Sequence, residues 1–144
     1  MVKGIILTRF FAITGTVLAG IPILLTVVTS VVGTISAGIF LFDYLMPAEL
    51  FLVALAGGLL LLWIAFRTRL FRKSIIVGLA GICVFLAASQ LIALVSGLAS
   101  GAIEPTGFIG TLVIAFIGLY TLAVIELAAV GAAMARRIFR QPKL

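Results

Sequence analysis

Glu126 is the residue whose type and position most invite a chemical explanation. It lies within the apolar stretch TLAVIELAAVGAAMARR (residues 121–137), and no other charged residue follows it until Arg136. An ionisable group at the centre of a bilayer costs roughly 2.5 to 3.5 kcal/mol on insertion scales, so a carboxylate without a cation there should take up a proton. We therefore expect an uncharged Glu126, which either fastens helices through a hydrogen bond or carries protons.

Other familiar chemistries lack their residues in this sequence. There is no histidine, which excludes His-based zinc sites, bis-imidazole haem ligation and a histidine general base. Cys83 is the only cysteine, so an internal disulfide is excluded, and we interpret Cys83 as a small buried hydrophobe. No P-loop, dinucleotide-binding or nucleophile-elbow motif occurs. We expect no enzymatic activity, no cofactor and no bound metal.

Composition indicates the elements that must position Glu126. Of the 144 residues, 65% are hydrophobic and 10% are charged, whereas soluble domains typically have about 45–50% and about 25%. We predict an all-α polytopic integral membrane protein, a single four-transmembrane-helix bundle with helices at about 10–32, 47–66, 74–95 and 108–135. Because the apolar run between Phe10 and Asp43 is too long for one perpendicular span, we assign 33–46 to an interfacial segment.

The distribution of positive charge predicts the orientation. The basic residues form three clusters, each next to an apolar run: Lys3 and Arg9; Arg67, Arg69, Arg72 and Lys73; Arg136, Arg137, Arg140 and Lys143. With four spans, all three clusters lie on one side, so the positive-inside bias places both termini in the cytoplasm. A signal peptide is disfavoured because the first apolar run far exceeds about 7–15 residues. The compact chain without sorting signals favours a prokaryotic cytoplasmic membrane.

The same clusters indicate which partners to expect. The net charge of +6 could suggest nucleic acid, but each cluster abuts an apolar run, so we expect contact with anionic lipid headgroups at the cytoplasmic face and no nucleic acid. The candidate lipid contacts are Arg67, Arg69, Arg72, Lys73, Arg136 and Arg137.

Small side chains predict how the helices meet. Ala123 and Ala129 flank Glu126 at helical spacing, and small residues let membrane helices approach closely. A second small and polar stripe lies on the third predicted helix: Cys83, Ala87, Gln90, Ala93 and Gly97. We predict that these two stripes pack antiparallel, with Gln90 in an interhelical hydrogen bond, or that a helix of another chain takes the place of one of them.

Depth predicts a small cavity near the midplane. At about 1.5 Å per residue from the basic clusters, Glu126, Cys83 and Gly57 reach similar depths. Gly57 and Gly58 open the second helix, and Pro22 leaves the carbonyl of the residue four positions earlier without its usual donor. The predicted borders of the cavity are Gly57, Leu18, Pro22, Cys83 and Glu126. Glu126 would donate there to the carbonyl of Leu18 or to a hydroxyl of Thr14 or Thr16.

Two functional hypotheses follow from these features. The first is a non-catalytic accessory, assembly or scaffold subunit that packs through small-residue helix faces with other membrane-protein subunits or with itself. The alternative is a proton-coupled small transporter or channel in which Glu126 carries the proton or cation.

Overall fold

The computed structural model describes residues 2–37, 50–98 and 107–140, and these contain four α-helices. They are α1 (Val2–Ala37), α2 (Phe51–Thr68), α3 (Arg72–Val95) and α4 (Phe108–Arg140). Each has a stretch long and apolar enough to cross a membrane, in α1 the 24 residues Ile6–Thr29. The prediction of an all-α chain with four such helices is confirmed.

The helix ends differ from the predicted ones. α1 begins at Val2 and continues to Ala37, so residues 33–37 are helical where an interfacial segment was expected. Lys3 and Arg9 do not delay its start because lysine and arginine are good helix formers. Residues 38–46, the rest of that segment, lie outside the described residues, as do 47–49 at the expected start of the second helix. α4 continues through its arginines to Arg140 for the same reason.

The four helices form a ring in which each contacts the next along the chain, and α4 returns to contact α1. The contacts of α1 with α2 and of α3 with α4 are extensive, whereas α2 and α3 pack less closely despite their short connection. Large aliphatic side chains fill the centre of the ring. The largest fully buried ones are Leu61, Ile64, Ile75, Ile82, Leu127, Met134 and Val124.

The α1–α2 contact is close because glycines lie at the crossing. A Cβ atom on Gly57 would lie 2.6 Å from the Ala19 nitrogen and 2.9 Å from the Gly15 carbonyl oxygen. The facing side of α1 also consists of small residues, Ala12, Gly15 and Ala19, which are buried. Backbones that approach this closely are typical of helices associating without a hydrophobic drive between them.

A three-residue turn, Arg69–Phe71, joins α2 to α3. Arg69 and Phe71 adopt left-handed backbone conformations, with φ of 59° and 51°. Arg72 secures the turn, because its Nε donates to the carbonyl of Ala65 at 3.2 Å and its Nη2 to the carbonyl of Phe66 at 2.6 Å. These bonds satisfy carbonyls that the end of α2 leaves without intrahelical donors.

Candidate functional site

Glu126 lies on the outer side of the bundle, near the middle of α4. Its side chain is exposed, as are those of Leu122 and Ala129 one turn to either side. The next residue, Leu127, is fully buried, so the side of α4 next to Glu126 faces the core. At about 1.5 Å per residue, Glu126 is about 27 Å from Phe108 and about 21 Å from Arg140 along the axis. The carboxyl group therefore lies near the middle of α4 and points away from the other three helices.

Within the part of the chain that the structure describes, Glu126 forms no hydrogen bond or ion pair. The hydroxyl groups of Thr16 and Thr121 donate within their own helices, Thr16 to the carbonyl of Ala12 at 2.7 Å and Thr121 to that of Ile117 at 2.9 Å. Because Glu126 lies on the exposed side of α4 and forms no such bond, the predicted bond to Leu18, Thr14 or Thr16 is wrong within a single chain.

The predicted midplane cavity is also wrong within one chain. Gly57 does face Leu18, whose Cβ would lie 3.0 Å from a Cβ on the glycine, but Ala19 and Gly15 close the space. At Gly58 the side chains of Leu79 and Leu127 fill the position that a Cβ would take. Between the described helices, bulky aliphatic side chains fill the bundle centre where the cavity was expected.

The remaining residues expected around that cavity lie elsewhere. Pro22 belongs to α1 and is buried on the side that faces α4, where it helps to line a shallow pocket. The other lining residues are Ile23, Thr26, Tyr120, Thr121 and Val124. Cys83 is exposed on the outside of α3, so its interpretation as a buried hydrophobe is wrong within one chain.

The expected neighbours α3 and α4 do pack together, but α3 uses a different face from the predicted one. Its buried residues are Ile75, Gly78, Ile82, Leu86 and Ser89. Cys83, Ala87 and Gln90 are exposed, so Gln90 does not bond between helices of one chain. Ala123 does pack in this contact, because its Cβ lies 3.3 Å from where a Cβ on Gly81 would be.

Arginine–aromatic stacking at one end of the bundle was missed from the sequence. The Arg9 guanidinium of α1 lies 5.1 Å from the centre of the Phe139 ring of α4. Arg137 of α4 lies 4.9 Å from the Phe71 ring of the α2–α3 turn. These contacts bring the three basic clusters to the same end, as predicted from four spans. The clusters were visible in the sequence, but their aromatic partners are distant along the chain.

Comparison of the chain with protein-family models, curated proteins and solved structures finds no match. Function therefore has to be inferred from the placement of its own side chains. The chain has three such features: four helices apolar enough to cross a membrane, a positively charged end of the bundle, and a carboxyl group on the outer face of α4. The first of these features indicates a membrane protein.

Proposed function

We propose that this chain is a non-catalytic subunit of a membrane complex, formed with other subunits or with further copies of itself. The outer face of α4 around Glu126 is the contact surface in this proposal. The observation that carries it is the exposed position of Glu126, midway along an apolar helix and without a partner among the described residues.

The energetics of a carboxyl group in hydrocarbon support a protein partner. Intramembrane ionisable residues almost always face protein or a water-filled cavity, because lipid offers them no hydrogen-bonding partner. Within one chain Glu126 faces neither, since its side of α4 points away from the other helices. A hydrogen bond across a helix contact is worth about 1 kcal/mol, which favours association of two such faces or of one face with a polar partner.

The shape of the same face also supports close contact with another helix. Ala115, Gly118 and Ala129 are exposed on the side of α4 that carries Glu126. A Cβ atom on Gly118 would meet nothing within 4 Å, so the surface is open at that point. Small residues at such positions let a second backbone approach, which increases van der Waals contact where lipid removes the hydrophobic drive.

The orientation belongs to the same proposal. The end of the bundle that carries the arginine clusters faces the cytoplasm, and both termini lie there, by the positive-inside bias. We place the protein in a prokaryotic cytoplasmic membrane.

A proton-coupled transporter or channel is the second candidate, and the exposed carboxyl of Glu126 is also the observation that favours it. A proton or cation would have to reach Glu126 along the outside of the bundle, at a contact between chains, because large side chains fill the bundle centre. This candidate therefore also requires an assembly. It differs from the first in requiring that Glu126 titrates.

The test is purification of the protein from its native membrane in mild detergent, with its mass measured by light scattering. We expect an assembly larger than one chain. Gly118→Leu should reduce that assembly, because the added side chain occupies the open contact surface. Gly20→Leu is the matched control, since a Cβ there also meets nothing within 4 Å, but on α1. A lone monomer from native membranes, or equal effects of the two substitutions, would contradict the proposal.

Glu126→Gln separates the two candidates. Glutamine keeps a neutral hydrogen-bonding group but cannot release a proton, so the assembly should persist in this variant. Transport driven by a pH gradient in liposomes, if the wild type shows it, should be lost if Glu126 carries protons. Full pH-driven transport by Glu126→Gln would eliminate the second candidate.

A further inference from the structure

The positively charged end of the bundle has no acidic residue to balance it within the described residues. Of the four acidic residues, Glu126 is the one that the described ranges include, and it lies ten positions before Arg136. The other three, Asp43, Glu49 and Glu104, belong to the segments between α1 and α2 and between α3 and α4, outside those ranges. Within the described residues, the arginines at this end therefore face no carboxylate.

Arg9 differs from Arg72 in how its donors are used. Arg72 donates two hydrogen bonds to carbonyl groups at the end of α2. Arg9, by contrast, has its Nε buried without a hydrogen-bond partner in the described part of the chain. A buried donor left without an acceptor is unfavourable by about 1–3 kcal/mol. The Nε itself is enclosed, but the Arg9 side chain is only half-buried, and its two terminal nitrogens also have no acceptor among the described residues.

The Phe139 ring orients this guanidinium. Its carbon lies 5.1 Å from the ring centre, which is within the range of a cation–π contact. Such a contact holds the guanidinium beside the ring, and its terminal N–H donors form no hydrogen bond within the described residues. Those donors form a fork that matches the oxygens of a phosphate or carboxylate group.

The surroundings of Arg9 are apolar, which favours an anion that carries hydrocarbon. Ile6, Phe10 and Phe139 are 62%, 61% and 48% exposed, and they lie within about one helical turn of Arg9 or in contact with it. A free phosphate ion or a nucleic acid has no hydrocarbon chain that would contact these side chains. The acyl chains of a phospholipid would cover them.

We propose that the Arg9–Phe139 contact between α1 and α4 is a binding site for an anionic phospholipid. The lipid phosphate accepts hydrogen bonds from Arg9, and the acyl chains lie along the exposed apolar side chains beside it. The site is separate from the face around Glu126, so it stands or falls independently of the proposed function.

The test uses the full-length protein in a neutral detergent, with binding measured by native mass spectrometry and by the shift in thermal unfolding. The probes are phosphatidylglycerol, phosphatidylcholine and inorganic phosphate, each added separately. We expect phosphatidylglycerol to bind in preference to phosphatidylcholine and inorganic phosphate alone to give no stabilisation. Because a hydrogen bond to a charged group is involved, Arg9→Gln should weaken phosphatidylglycerol binding by about tenfold or more.

Arg140→Gln is the matched control, because it removes one positive charge from an exposed residue at the same end, and it should change the Kd by less than about twofold. Equal weakening by both substitutions would show attraction to the net charge alone and would overturn the site. Equal binding of the two lipids, or equal stabilisation by inorganic phosphate, would overturn it as well. If Arg9→Gln does not fold, Arg9→Lys and Phe139→Leu test the fork and the ring separately, and unchanged binding in both would also refute the proposal.

Discussion

Glu126 lies on the outer side of α4, whereas the small residues three positions before and after it face in different directions. Its central depth in an apolar helix was evident from its distance to Arg136, and the structure keeps it near the middle of α4. Its direction was not evident, because Ala123 and Ala129 flank it on both sides and small residues suit two kinds of contact. Ala123 is buried against α3, whereas Ala129 and Glu126 are exposed. A rotation of tens of degrees about the helix axis decides between these outcomes.

Gly57 provides a test of packing at the residue scale. A Cβ there would lie 2.6 Å from a backbone nitrogen, so Gly57→Ala must move α1 away from α2. Overpacking of this kind destabilises by about 1–3 kcal/mol, more than the roughly 1 kcal/mol that alanine contributes to helix propensity. We expect a net loss of stability, measured by unfolding in detergent micelles with increasing dodecyl sulfate.

The control for this prediction is Gly20→Ala, also in an apolar helix but with no atom within 4 Å of the added Cβ. It should leave stability unchanged or raise it by up to about 1 kcal/mol. If Gly57→Ala proved as stable as Gly20→Ala, the close α1–α2 crossing would be incorrect.

At the scale of elements, charges and apolar runs were sufficient to locate four helices but not their faces. The third predicted helix, 74–95, nearly coincides with α3, Arg72–Val95, because basic residues mark its start and a glycine-rich segment follows it. Its packing face was misjudged because the small polar stripe of Cys83, Ala87 and Gln90 resembles an interface. A filled core requires volume, which Ile75, Ile82 and Leu86 provide and that stripe does not.

The junction of α2 and α3 depends on Arg72, which gives a second prediction. Arg72→Gln removes the donors to the Ala65 and Phe66 carbonyls and the stack on the Phe66 ring at 5.1 Å. We expect the free energy of unfolding to fall by about 1–2 kcal/mol. This is less than for a buried hydrogen-bonded pair, because the Arg72 side chain is partly exposed. The comparison is Lys73→Gln, which removes the same charge from an exposed neighbour and should have little effect on unfolding in detergent.

At the scale of the whole molecule, the contacts of Arg9 with Phe139 and of Arg137 with Phe71 hold both terminal regions and the α2–α3 turn at one end. This arrangement was predictable because an even number of spans returns the chain to its starting side. The stacks themselves were not, since Arg9 and Phe139 are 130 positions apart. Without related sequences, nothing in the local pattern pairs such residues.

The orientation can be measured with single cysteines in a Cys83→Ala background. We expect Arg69→Cys and Arg140→Cys to react with a membrane-impermeant maleimide only after the cells are permeabilised. Phe108→Cys, which replaces an 81% exposed residue at the other end of α4, should react in intact cells. The physical reason is the positive-inside bias of the arginine clusters. Labelling of positions 69 and 140 from opposite sides would be incompatible with the four-helix arrangement.

The short Arg69–Phe71 connection also constrains how α2 and α3 cross a bilayer. Three residues extend over at most about 10 Å, whereas the hydrocarbon layer measures about 30 Å. The end of α2 and the start of α3 must therefore lie on the same side of the bilayer. In a bilayer, α2 and α3 must therefore form a hairpin, with the arginines of the turn kept at a single surface.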